Sequence, residues 1–82
     1  MKRYKGRVLV VKFYDHVMDA LEPAECICVG VLQKIEKNYI VLQVWDCLDH
    51  DDNTRLENSN FFCILRSTII EAYVMEQGKK IK

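Results

Sequence analysis

The chain is poor in the residues that break structure, with one proline and three glycines in 82 residues, and nothing in it reads as an interdomain linker. Net charge is missing too: twelve basic residues balance twelve acidic ones, so no overall field draws the protein onto a polyanion. No apolar run approaches the ~20 residues that a membrane-spanning helix requires, which argues against a membrane protein. Catalytic signatures are equally scarce. There is no phosphate-binding loop, no dinucleotide fingerprint and no glycine-rich turn presenting a serine or cysteine nucleophile, so the expectation is a protein that is not an enzyme and carries no cofactor.

What is present is β-type sequence. Residues 7–14, 26–35, 39–45, 61–65 and 69–75 are rich in β-branched and aromatic side chains, which pack well on a pleated surface. The first run opens at Arg7, and Gly30 interrupts the second, where a glycine commonly marks a bulge or a bend. The polar turn Glu36-Lys37-Asn38 joins the second and third runs as a hairpin. Arg66-Ser67-Thr68 separates the last two by one tight turn. Residues 15–25, with Pro23 and with Val17, Met18 and Leu21 at helix-like spacing, read as a loop carrying a short helical piece. The fold class expected is all-β: a single domain over residues 1–82, a small, strongly bent, five-stranded SH3-like barrel with no long helix.

Period-two alternation sorts strand side chains onto opposite faces. In the third strand it opposes Ile40, Leu42 and Val44 to Tyr39, Val41 and Trp45. In the second it opposes Ile27, Val29, Val31 and Ile35 to Cys26, Cys28 and Leu32, and in the last Ile70, Ala72 and Val74 to Ile69, Tyr73 and Met75. Both faces are apolar, more than one small barrel can enclose. A chain this short buries only about 60% of the surface its unfolded form exposes, so partner subunits are the simplest way to cover the surplus. A homo-oligomer is expected, with Val41, Trp45, Ile69, Tyr73 and Met75 as candidate interface residues.

Charge is unevenly placed. Lys2, Arg3, Lys5, Arg7 and Lys12 open the chain without an acid, and Lys79, Lys80 and Lys82 close it; Asp46, Asp49, Asp51, Asp52 and Glu57 lie between. Frayed charged termini and a solvated acidic loop account for that layout more readily than a basic patch for RNA. Four cysteines lie in or beside strand-like runs, and no apolar signal region follows the basic start, so the reading is a reduced, cytoplasmic protein.

Two clusters hold metal-ligating groups. Residues 46–52 gather Asp46, Cys47, Asp49, His50, Asp51 and Asp52, but without a Cys-x2-Cys pair or the spacing of a calcium loop, and a solvated acidic tip is the ordinary origin of such a run. Cys26 and Cys28 share one strand face and suit a metal or redox role only if Cys47 or Cys63 joins them across the sheet; otherwise they are buried structural thiols. No metal is expected. His16 reads as a surface histidine, and Trp45, Phe61, Phe62 and Tyr73 as core or interface aromatics rather than a stacking platform.

Two segments resemble the sequence motifs of the Sm and Sm-like proteins. Gly30, Leu32, Glu36, Asn38, Ile40 and Leu42 are similar to the first motif, and Leu65, Arg66, Ser67 and Ile69 or Ile70 to the second, together spanning residues 26–75. Glu36 stands where the family has aspartate, Ser67 where it has glycine, and the hairpin turn is shorter. The resemblance implies a small barrel that assembles into a ring and binds single-stranded RNA with the two turns. It would place Lys37, Asn38, Tyr39 and Arg66 at the RNA site, Tyr39 stacking on a base and Arg66 meeting phosphate or base. The alternative is a protein-interaction or structural barrel without nucleic-acid affinity.

Overall fold

A computed structural model describes residues 1–15, 21–46, 59–76 and 78–82. Five antiparallel strands form one sheet: β1 (Val8–Asp15), β2 (Ala24–Ile35), β3 (Tyr39–Asp46), β4 (Ser59–Leu65) and β5 (Ile69–Val74). The only helical pieces among the described residues are two 3-10 turns, η1 (Lys2–Tyr4) and η2 (Arg66–Thr68). The all-β architecture is as the residue types suggest, with strand ends displaced by two residues at most. Of residues 15–25, expected to be loop with a short helical piece, 16–20, His16 among them, lie outside the described residues, as does the acidic tract beyond Asp46. Asp15 belongs to β1 and Ala24 and Glu25 to β2, so the expected loop is corrected at both ends.

Strand order is β4-β3-β2-β1-β5. Among the described residues the sheet curls into a barrel-like shape without closing, because β4 and β5 are its two edges and each pairs there on one side only. The curl is visible in the core. Phe13 of β1 and Phe62 of β4 are separated by two strands in the sheet, yet their rings meet edge to face at 5.6 Å and 83°. Leu9, Val11 and Phe13 alternate inward along β1. Opposite them β2 supplies Gly30, Cys28 and Cys26, and β5 supplies Val74, Ala72 and Ile69. Leu32, Ile40, Leu42 and Ile64 complete the buried cluster.

Three register shifts break strict alternation. Between β2 and β3 the extra residue is Gln33, between β3 and β4 it is Val44, and between β1 and β5 it is Ile70. Each shift moves a neighbour to a face that period-two sorting does not assign. Ile35 packs against the core with Leu32, Val44 is 41% exposed although Ile40 and Leu42 are fully buried, and Ile69 joins Val74 against the core. The bulge in β2 therefore falls at Gln33 rather than at Gly30. Gly30 has a different duty: a Cβ there would sit 2.7 Å from the Gln43 carbonyl oxygen and 3.1 Å from Leu42 Cβ, so the close approach of β2 and β3 requires a residue without a side chain.

The basic N-terminus is not a loose tail. Gly6, at φ +86°, turns the chain so that its N–H donates to the Leu32 carbonyl, while the Leu32 N–H donates to the Arg7 carbonyl. Tyr4 packs against the core, and the Arg3 guanidinium lies 5.0 Å from its ring centroid. The reading of this end as frayed is corrected by these anchors.

Candidate nucleic-acid interface

Tyr39 pairs opposite Leu65, so the β2–β3 hairpin turn and η2 fall at the same end of the sheet. The hairpin is tight: the Glu36 N–H donates to the Tyr39 carbonyl at 2.8 Å across Lys37 and Asn38. Arg66 then ties the two turns together. Its backbone N–H donates to the Asn38 carbonyl at 2.9 Å, and its guanidinium Nη1 donates to the Glu36 carbonyl at 3.1 Å. Thr68 Oγ1 donates back to the Leu65 carbonyl at 2.7 Å and shapes η2.

All four residues anticipated at this end, Lys37, Asn38, Tyr39 and Arg66, are thus gathered there. Lys37, Asn38 and Arg66 are exposed and Tyr39 is half-buried. One guanidinium nitrogen of Arg66 is committed to the Glu36 carbonyl, and the exposed fork carries further donors of the kind that meet phosphate oxygens or base edges. Sequence reading missed Lys34. Its ammonium lies 5.8 Å from the Tyr39 ring centroid and 3.7 Å from the Glu36 carboxylate. Tyr39 and then Glu36 push the Lys34 pKa above its ordinary value, so the group is cationic throughout the neutral range. The missed signal is the bulge at Gln33, which places Lys34 on the outer surface beside Val41.

The candidate interface residues are dispersed. Trp45, Tyr73 and Met75 are about half exposed, Val41 is partly buried, and Ile69 faces the core. Trp45 lines an outer groove of about 250 Å³ with Val8, Val29, Val31 and Val44. Val8 also borders Met75, whose N–H donates to the Val8 carbonyl, so the groove runs on toward β5. Across β2, β1 and β5 the same face carries Val29, Val10 and Tyr73 in register, then Ile27, Lys12 and Glu71.

Among the described residues the thiols do not converge, and Cys47 lies outside them. Cys28 is buried and Cys26 half-buried on the core side, while Cys63 is exposed next to buried Ile64 on β4. Burial pushes the Cys28 thiol above its ordinary pKa, the mark of an inert structural cysteine. Among the described residues no group of three His, Cys, Asp or Glu side chains could hold a metal ion, and no helix is long and apolar enough to cross a membrane. No protein-family profile, characterised protein or solved structure matches the chain.

Proposed function

We propose that this chain is a non-catalytic, self-assembling β-module that binds single-stranded RNA at the end of the sheet where the β2–β3 turn meets η2. The observation that carries this reading is the double tie from Arg66 to the Asn38 and Glu36 carbonyls. It holds a cation, an aromatic ring and two exposed polar turn residues in one fixed arrangement, the combination that stacks a base and meets its phosphate. The resemblance of residues 26–75 to the Sm-like motifs points to the same residues. Bulk neutrality does not oppose it, since the charge is local: Lys34, Lys37 and Arg66 stand against Glu36 alone among the charged side chains of the two turns and their flanks.

Self-assembly is supported by the open sheet. β4 and β5 leave two unpaired edges, with Phe61, Leu65, Ile70, Tyr73 and Met75 exposed along or beside them. Pairing one subunit's β4 edge with the β5 edge of the next is a head-to-tail contact, which closes into a ring where its rotation permits. A second reading, a protein-interaction barrel without RNA, draws on the exposed apolar face that carries Ile27, Val29 and Trp45.

Fluorescence anisotropy with a labelled single-stranded oligoribonucleotide separates the two. Affinity should fall as salt rises, and Arg66→Ala should weaken binding about tenfold or more, as loss of a charge-assisted hydrogen bond implies. Tyr39→Ala should cost on the order of 1–3 kcal/mol, the worth of one stacked base. Absence of binding, or binding indifferent to salt and to both substitutions, would leave the protein-interaction reading.

A further inference from the structure

Beside the two turns lies a second basic feature. Lys2 and Lys5 of the N-terminal segment, with Lys34, Ile35 and Glu36 of the β2 end, line a cleft of about 360 Å³. Two of these residues belong to the site already described. Lys34 flanks Tyr39, and Glu36 gives its carbonyl to Arg66. The cleft is therefore continuous with the Tyr39 and Arg66 end.

Its walls are held in place. The segment that carries Lys2 and Lys5 is fixed by the turn at Gly6, by the hydrogen bonds between Gly6, Arg7 and Leu32, and by Tyr4 packed against the core. Both lysines are exposed, so their ammonium groups reach solvent from a fixed backbone. The one carboxylate lining the cleft, Glu36, is held by Lys34 at 3.7 Å, which leaves Lys2 and Lys5 as the cations that set the sign of the cleft. A groove with this charge, next to an aromatic ring, fits the backbone of a nucleotide strand better than an isolated ion, because a strand stacked on Tyr39 has to carry its next phosphates along one wall.

We propose that this cleft is a phosphate subsite in which Lys2 and Lys5 engage the RNA backbone adjacent to the base held at Tyr39 and Arg66, lengthening the site beyond the two turns. The inference rests on the RNA reading above and adds a direction and a length to it. Lys2 and Lys5 form a phosphate wall and supply no base contact, so they should contribute to long oligonucleotides and not to short ones.

The test measures binding of a ten-nucleotide and a three-nucleotide single-stranded RNA across a salt series, with wild type, the double variant Lys2→Gln/Lys5→Gln, and the control Lys79→Gln/Lys80→Gln. The control removes equal charge from exposed lysines at the other end of the chain. Removing two phosphate contacts should lower the slope of log affinity against log salt by roughly 1.4 for the longer RNA. The three-nucleotide affinity should be unchanged in the cleft variant, and the control should match wild type with both RNAs. An unchanged slope for the cleft variant, or an equal change in the control, overturns the subsite while leaving the Tyr39 and Arg66 site standing. If wild type binds neither RNA, the RNA reading and the subsite fall together. Equal melting temperatures for the three proteins establish that the fold is intact.

Discussion

Lys12 sits at the centre of the outer face, with its ammonium 3.3 Å from Glu71 and 3.4 Å from Glu25, while the Tyr73 hydroxyl donates to Glu71 at 2.6 Å. The Tyr73 hydroxyl first, and then Lys12, hold the Glu71 carboxyl below its usual range, and Glu71 in turn raises the Tyr73 phenol. A carboxylate whose folded pKa is depressed stabilises the fold above its unfolded value and loses that contribution as pH falls through the folded one. The loss should therefore come below about pH 4. Tyr73, whose pKa is raised, contributes below about pH 10 and loses its contribution as pH rises through the folded value. These side chains are solvent-exposed, so the effect on stability is small. Ultraviolet titration of tyrosinate should find one phenol above the ordinary tyrosine range that returns to it in Glu71→Gln. An unaltered titration curve in that variant would show that the Tyr73–Glu71 contact does not form in solution.

Among the elements, β2 is where chain geometry is most demanding. Gly30 lies under the carbonyl of Gln43, and a methyl group there meets backbone rather than the end of a flexible side chain. Gly30→Ala should destabilise the fold by about 1–3 kcal/mol, the usual cost of overpacking, read from the midpoint of urea denaturation at unchanged slope. A midpoint equal to that of wild type would mean that β2 and β3 separate more easily than their close approach implies. Strand identities were legible because β-branched runs bounded by polar turns leave few alternatives, and the hairpin around Lys37 and Asn38 could be read from its turn residues. Which face each residue takes was legible only up to a bulge. Gln33, Val44 and Ile70 carry no glycine or proline to announce an extra residue, so Ile35, Val44 and Ile69 lie on faces that alternation alone assigns otherwise. Lys34 escaped notice for the same reason. The meeting of Asn38 with Arg66 was beyond periodicity altogether, since it follows from the pairing of β3 with β4, two strands 12 residues apart in sequence, which no local spacing encodes.

Among the described residues the molecule is an open, curled sheet with three distinct surfaces: a basic end built from two turns and the N-terminal segment, two strand edges, and an outer face on which exposed apolar residues surround the Lys12 ion pairs. A core of eight buried side chains among the described residues is small beside Ile27, Trp45, Phe61, Leu65 and Tyr73, which are about half exposed or more. Assembly through the edges would cover part of that surface and bring several basic ends into one particle, which on the proposed RNA-binding function would raise affinity by local concentration. A single basic end on a monomer would bind more weakly.

Light scattering of the protein alone and with a short single-stranded RNA, at low and moderate salt, tests the joint claim of assembly and RNA binding most directly. The account predicts a mass that is a multiple of the protomer, increased by RNA at low salt and less so at moderate salt. A monomer whose mass is indifferent to RNA at both salt concentrations would contradict it.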